Sequence, residues 1–271
     1  MNHYVMSDIH GMGDLFDKAM NYLEEDNEPY QLIYLGDACD RGPDGYRIMK
    51  QLLRNPNVIY LKGNHEDLFV KSARAFRRLS IEEHMSPKQM LEAYGNDLSW
   101  IMQTEDEMWI HYSNGGESTL AAWIADGCPQ WIVTKLSHLP VQYSFNKFDF
   151  CHAGCTSYYF DKNAEDPNDE RFEKQLIWSR SHFPIPWKKN RVLIHGHTPV
   201  MHLFHGGREY EAIKDAPPKF LQPVRYSVNK IDMDTGAFAT NLLAIYCIES
   251  DNFQIICSEE WPPLFENYLK K

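Results

Sequence analysis

Short continuous apolar runs alternate with amphipathic stretches through the first 70 residues. Tyr4-Val5-Met6, Leu32-Ile33-Tyr34-Leu35 and Val58-Ile59-Tyr60-Leu61 are too short for helices and are bounded by turn residues, so they read as buried strands. Between them, apolar residues at 15, 16, 19, 20 and 23 fall on a helical stripe with Asp14 placed as N-cap. Ile48, Met49, Leu52 and Leu53 mark a second amphipathic helix, capped by Asp44. The pattern predicts βαβαβ, with parallel strands, right-handed crossovers and strand carboxyl ends opening on one crevice.

From Glu66 to about His138 the pattern becomes helical and aromatic. Residues 71–140 are expected to form a helical insertion that borders the crevice, within one domain spanning residues 1–271. Inside it, Asn114-Gly115-Gly116-Glu117-Ser118-Thr119 reads equally as a tight turn with a helix cap and as a functional element. Tyr143 to Phe150 predicts a strand delivering Cys151-His152-Ala153-Gly154, and Arg191-Val192-Leu193-Ile194 leads into His195-Gly196-His197-Thr198-Pro199. The acidic, proline-bearing stretch from Thr156 to about Trp187 is expected as a long ordered loop anchored by Leu176-Ile177-Trp178. Ile231 to Gly236, Leu242 to Ile248 and Phe253 to Cys257, the last two joined by Ser250-Asp251-Asn252, are expected to supply a second sheet packed on the first. The class is α/β.

Composition narrows the chemistry. A net charge of −11, with no lysine- or arginine-rich run, argues against a protein that holds nucleic acid by its phosphates. A phosphate site here must gain positive potential locally, and metal ions are the obvious means. The six cysteines lack paired-knuckle spacing, so a reduced, cytoplasmic setting is expected, with Cys151 and Cys155 as small buried residues rather than zinc ligands. The chain enters its first strand almost at once, leaving no room for a secretory signal, and no apolar run reaches membrane-spanning length. Neither nucleic acid nor membrane is an expected partner.

Five of the predicted strand ends carry metal-ligand chemistry: Asp8 and His10, Asp37, Asn64, His152 and His197. Carboxylate, imidazole and amide oxygen together suit borderline ions such as manganese, iron or zinc, and two ions share the set most simply if Asp37 bridges them. Taken singly, each residue has a structural explanation as a turn former or cap; five motifs in order do not. Asp8-Ile9-His10-Gly11, Gly36-Asp37 with Asp40-Arg41-Gly42, Gly63-Asn64-His65-Glu66, His152 and Gly196-His197-Thr198 together resemble the calcineurin-like metallophosphoesterases. Among them the chain is most similar to the phosphoprotein phosphatase branch typified by the bacteriophage lambda protein phosphatase and its bacterial relatives.

That resemblance implies a β-sandwich flanked by helices and a two-metal site, manganese in the first place with iron or zinc as alternatives. One ion would be held by Asp8, His10 and Asp37, the other by Asp37, Asn64, His152 and His197. Arg41 would bind phosphate, and His65, held by Asp40, would protonate the leaving oxygen. Arg180 is the best match for a second phosphate-binding arginine, with Arg171 and Arg191 behind it. His195 is expected to support the site or pack, and His3, His84, His111, His138, His182, His202 and His205 to take surface or packing roles. Asp232 and Asp234 border the site without being assigned to it.

The implied activity is a metal-dependent phosphomonoesterase acting on phosphoserine and phosphothreonine, and by extension phosphotyrosine, in proteins, by attack of a metal-bridging hydroxide. The alternative on the same scaffold is a symmetric diadenosine tetraphosphate hydrolase. Asp40 before the arginine and Glu66 after the histidine favour the phosphatase, because the dinucleotide hydrolases tend to carry Asn and Asp there. A phosphopeptide-binding module without catalysis is a third reading, but it has no use for a leaving-group acid.

Overall fold

Two five-stranded mixed sheets face one another in the computed structural model, which describes residues 1–25, 28–94, 97–204, 223–227 and 229–257. The βαβαβ unit forms as the periodicity predicts: β1 (Asn2–Met6), α1 (Gly13–Glu24), β2 (Tyr30–Tyr34), α2 (Gly45–Arg54) and β3 (Val58–Tyr60), with β1 and β3 parallel to β2. The caps differ from expectation. Helix α1 opens at Gly13, so Asp14 sits in its first turn and pairs with Lys18 at 2.9 Å. Asp44 does occupy the N-cap of α2, but its side chain meets Arg47 at 3.3 Å instead of the helix backbone.

Helices α3 (Asn64–Glu82), α4 (Pro87–Ala93), α5 (Leu98–Met102), α6 (Asp106–Ser113), α7 (Glu117–Ala125) and α8 (Gln130–Ser137) follow. They share a core with the outer face of the first sheet: Phe69, Phe76, Leu120, Trp123 and Ile132 lie in one buried cluster with Leu15, Leu32, Ile48 and Leu52. Trp123 presents its ring edge-on to Phe69 and Phe76, a favoured aromatic geometry.

The second sheet is built from β4 (Gln142–Phe145), β5 (Phe148–Cys151), β6 (Val192–His195), β7 (Val224–Tyr226) and β8 (Lys230–Asp232), in the order β4-β5-β6-β8-β7. Three expectations are corrected here. Residues 143–150 form a hairpin rather than one strand, turning where Asn146 takes φ +51°. The expected loop after Thr156 contains helices α9 (Ser157–Glu165) and α10 (Glu170–Trp178), whose charges lie outward while Leu176 and Ile177 are buried and Trp178 stays exposed.

The third correction concerns β9 (Leu242–Cys247) and β10 (Asn252–Cys257), which pair as predicted but join the first sheet, β9 lying antiparallel to β1. The continuous apolar run of β9 suits a strand covered on both faces, and the half-covered β10 takes the edge. Between the sheets, Val5, Ile33 and Leu61 pack against Phe150, Ile194 and Ile231. Among the described residues, no helix is long and apolar enough to cross a membrane.

Candidate metal centre

The turns after β1 and β2 are stitched together beyond the strands themselves. Asp8 N–H donates to the Gly36 carbonyl (3.1 Å), His10 N–H to Asp37 (3.0 Å) and Gly11 N–H to Ala38 (3.0 Å). Asp8, His10, Asp37, Asp40, Arg41 and His197 all adopt positive φ, between +46° and +71°, a conformation costing roughly 1–3 kcal/mol for a residue with a side chain. The turn after β1 and the Asp40-Arg41-Gly42 turn also meet backbone to backbone, where a Cβ on Gly11 would lie 2.6 Å from the Gly42 carbonyl oxygen. Glu66 holds the Asp37 turn from beneath: its carboxylate accepts N–H bonds from Asp37, Ala38 and Gly63, all at 2.8 Å, and the Tyr60 hydroxyl at 2.7 Å.

Two buried groups result, each with ligand atoms lying within 4.8 Å of one another: His10, Asp37 and His65, and Asp37, His152 and His197. Asp37 belongs to both. The Nδ1–H of His10 donates to the Cys39 carbonyl and that of His152 to the Leu35 carbonyl, each at 3.0 Å. Such bonds orient an imidazole and turn its Nε2 toward the site. His10 Nε2 lies 3.7 Å and His152 Nε2 3.3 Å from Asp37 Oδ2. Asn64 Oδ1 is 2.9 Å from both His152 Nε2 and His197 Nδ1, while His197 Nε2 is buried without a partner among the described residues. Asp8 accepts the His197 N–H on both carboxylate oxygens at 3.1 Å, and Ser7 Oγ donates to it as well. The donor set and the partnerless buried nitrogen fit divalent ions of the borderline kind.

Burial and neighbouring charge pull these groups in opposite directions. Burial pushes the Asp37 carboxyl up, yet the His152 and His65 rings hold it well below the usual carboxylate range. His152 is the complement: burial disfavours its charge, but Asp37 raises it to about 10. Burial, opposed by His152 and helped by Asp37, lifts Asp8 to about 6. At neutral pH a proton therefore sits on His152 where a cation would bind, and a metal ligand must be a neutral imidazole. Metal binding is expected to release that proton, so affinity should climb with pH toward about 10, by at most about tenfold per unit for one proton. Manganese titrations by calorimetry in two buffers of different ionisation enthalpy check this, since proton release makes the apparent enthalpy depend on the buffer.

His65, a member of the first group, stands together with Asp40 and Arg41. His65 Nδ1 is 2.7 Å from Asp40 Oδ2, and its Nε2 faces Arg41 Nη2 at 3.2 Å. Burial lowers the His65 pKa, but Asp37 and Asp40 more than reverse this, so its ring holds a proton more firmly than a free imidazole. Arg41 is exposed, its guanidinium 4.4 Å from the centroid of Phe238, an exposed ring that also meets His10 edge-on. Arg180 lies beside His197 of the second group, Nε donating to Thr198 Oγ1 at 3.0 Å and Nη2 to the His197 carbonyl at 3.4 Å. The two weaker candidates are elsewhere: Arg171 pairs with Asp169 on the surface, and Arg191 forks onto Asp149.

Among the remaining histidines, His195 is buried with Nε2 2.5 Å from the Tyr226 hydroxyl, which His182 also approaches. His3 pairs with Glu249, His84 and His202 are exposed, His138 contacts the Thr134 carbonyl, and His205 lies outside the described residues. His111 departs from its expected packing role, because Nε2 contacts Asp40. Asp234 is buried near Asp8 and Arg41, and burial followed by Asp8 pushes its carboxyl well up. Phe238 and His111 carry no local motif; the glycine pair after His111 is the one signal that pointed near it.

A model of the calcineurin-like phosphoesterase family matches residues 1–228. Serine/threonine-protein phosphatase 1 of Salmonella typhimurium is 30% identical over 114 residues, 37% of this chain, which spans about half (51%) of that relative's length. Among solved structures, a putative diadenosine tetraphosphatase aligns with a TM-score of 0.54 at 14% identity, over 96% of this chain and 95% of that one. A cold-active protein-tyrosine phosphatase of a psychrophilic Shewanella aligns with a TM-score of 0.49 at 13% identity, over 94% and 80%. The likeness to the first of these structures is one of fold.

Proposed function

Because the chain belongs to the calcineurin-like phosphoesterase family, we propose that it is a metal-dependent phosphomonoesterase acting on phosphoserine and phosphothreonine in proteins or peptides, with manganese as its metal. The observation that carries this reading is the hydrogen-bonded Asp40–His65 pair, with exposed Arg41 at 3.2 Å from a His65 ring that itself belongs to one of the two groups able to hold a metal. Asp8, His10, Asp37, Asn64, His152 and His197 would hold two ions, which when bound activate water and neutralise phosphoryl oxygens. Arg41, beside His65, and Arg180, beside His197, can bind the remaining phosphate oxygens. His65, charged and oriented by Asp40, can hand its proton to the departing oxygen. The Salmonella relative is named a serine/threonine phosphatase, which agrees with this reading.

Manganese-supported hydrolysis of phosphoserine, phosphothreonine and phosphotyrosine peptides, measured beside diadenosine tetraphosphate, tests the reading. The peptides are expected to turn over faster. A preference for the dinucleotide would move the chain to the other branch, and failure on every ester across divalent metals would make it a binding module. Arg180→Ala is expected to lower kcat/KM by about 10²–10³-fold with the metals retained, as loss of a transition-state donor does. Arg191→Ala should instead lower Tm and spare kcat/KM, because its partner is Asp149. Kinetics and melting curves on the two variants separate these roles.

A further inference from the structure

Helix α6 carries His111, fully buried, with Nε2 3.0 and 3.1 Å from the two oxygens of Asp40. His65 Nδ1 reaches the same carboxylate at 2.7 Å. Asp40 has no exposed surface, so its orientation is set by the groups packed around it and not by bulk solvent. Burial pushes its carboxyl up, and His111, ahead of His65, holds it well below the usual range.

The residues after His111 grip the backbone of the same turn. The Gly115 carbonyl accepts the Arg41 N–H at 2.9 Å, Thr119 Oγ1 accepts the Asp40 N–H at 3.0 Å, and Ser118 Oγ donates to the Gly42 carbonyl at 3.0 Å. Asp40 and Arg41 stand at φ +68° and +65°, so the turn needs such anchors to persist. Gly116 is part of the fit, because a Cβ there would collide with the His111 ring. A residue placed only to fill the core would take away the imidazole donor opposite His65 and loosen the carboxylate.

We propose that His111 is a positioning residue for leaving-group protonation: by hydrogen-bonding Asp40 opposite His65 it fixes the carboxylate, and through it the His65 ring. The proposal rests on the acid role given to His65 above. The Asn114-to-Thr119 turn completes the device by holding the backbone from which Asp40 and Arg41 project.

The test compares His111→Phe, which fills the space without a donor, His111→Gln, which can still donate, and His111→Asn, too short to reach. In the manganese-loaded full chain, His111→Phe and His111→Asn should lower kcat on a phosphoserine peptide by about 10–100-fold, the range for partners that orient a functional histidine. The loss on nitrophenyl phosphate should be smaller, with KM and metal content unchanged, and His111→Gln should recover most of the rate. Adding Asp40→Asn to His111→Phe should cost little more, since both break one network.

Equal losses on both esters, no rescue by glutamine, or additive effects with Asp40→Asn would make His111 a packing residue and overturn the proposal. The ring N–H proton of His65, assigned by its absence in His65→Asn and observed by NMR with diamagnetic zinc, should broaden or move in His111→Asn. If wild type hydrolyses no phosphomonoester, the functional reading fails by itself, and this resonance still decides: unchanged in His111→Asn, it removes the positioning role.

Discussion

Asp37→Asn is expected to remove activity by on the order of 10³-fold or more and to lower metal occupancy at both positions. Asp37 alone belongs to both buried ligand groups, with Oδ2 3.7 Å from His10 Nε2 and 3.3 Å from His152 Nε2. Asparagine keeps the shape and can still accept the His65 N–H that now reaches Oδ1 at 3.0 Å, so the turn should survive. What disappears is the negative charge that the four imidazoles of the two groups share. Asp8→Asn should be milder, because Asp8 would touch one ion only and an amide oxygen can keep the His197 N–H bond. Metal counted by mass spectrometry on gel-filtered protein, beside kcat/KM, makes the comparison. Two ions per chain in Asp37→Asn, as in wild type, would show that the carboxylate does not bridge them.

The strand-end positions that the fold gathers were legible because each has a local signature. A short apolar run sets a buried strand, and an acid, amide or imidazole one to four residues beyond it projects from the strand end, as Asp8, Asp37, Asn64, His152 and His197 do. The order of the runs also carried the βαβαβ unit, since period and length are properties of a single segment. Contacts between distant segments left no such trace. His111 meets Asp40 across 71 residues and Thr119 meets it across 79, and neither helix advertises the residue it will face. Periodicity marked this region as helical, but it could not tell a buried imidazole with a partner from one filling space.

The other departures have the same root. Charge density made the 156–187 stretch look like a loop, although α9 and α10 bury one face, through Phe160, Leu176 and Ile177. The hairpin β9–β10 was readable from its alternation and turn, while its sheet was not, because membership depends on which strand has an open edge. Here that strand is β1, through Tyr4 opposite Cys247 and Val5 opposite Tyr246. Phe238 is exposed and carries no motif, yet the fold puts it against Arg41 and His10 at the mouth of the site.

His65→Asn is expected to lower turnover of a phosphoserine peptide by about 10²–10⁴-fold, the usual contribution of a positioned acid, and turnover of nitrophenyl phosphate far less. A serine alkoxide is a strong base and must be protonated as the bond breaks, whereas nitrophenolate departs unaided. The geometry supports the role: Asp40 raises the proton affinity of the ring through Nδ1, and Nε2 lies beside Arg41, where substrate phosphate would dock. The same ring is 4.6 Å from the His10 ring and belongs to a metal-sized group with His10 and Asp37, so ligation is the competing assignment. Metal content separates the two. Loss of one ion in His65→Asn, with both esters failing together, would make His65 a ligand. Both ions retained with equal losses on the two esters would assign it to holding phosphate or the attacking water. Both ions retained with a loss confined to the poor leaving group is the pattern that a general acid requires, and Asp40→Asn should then reproduce it in milder form, because the imidazole remains while its orientation and charge are disturbed.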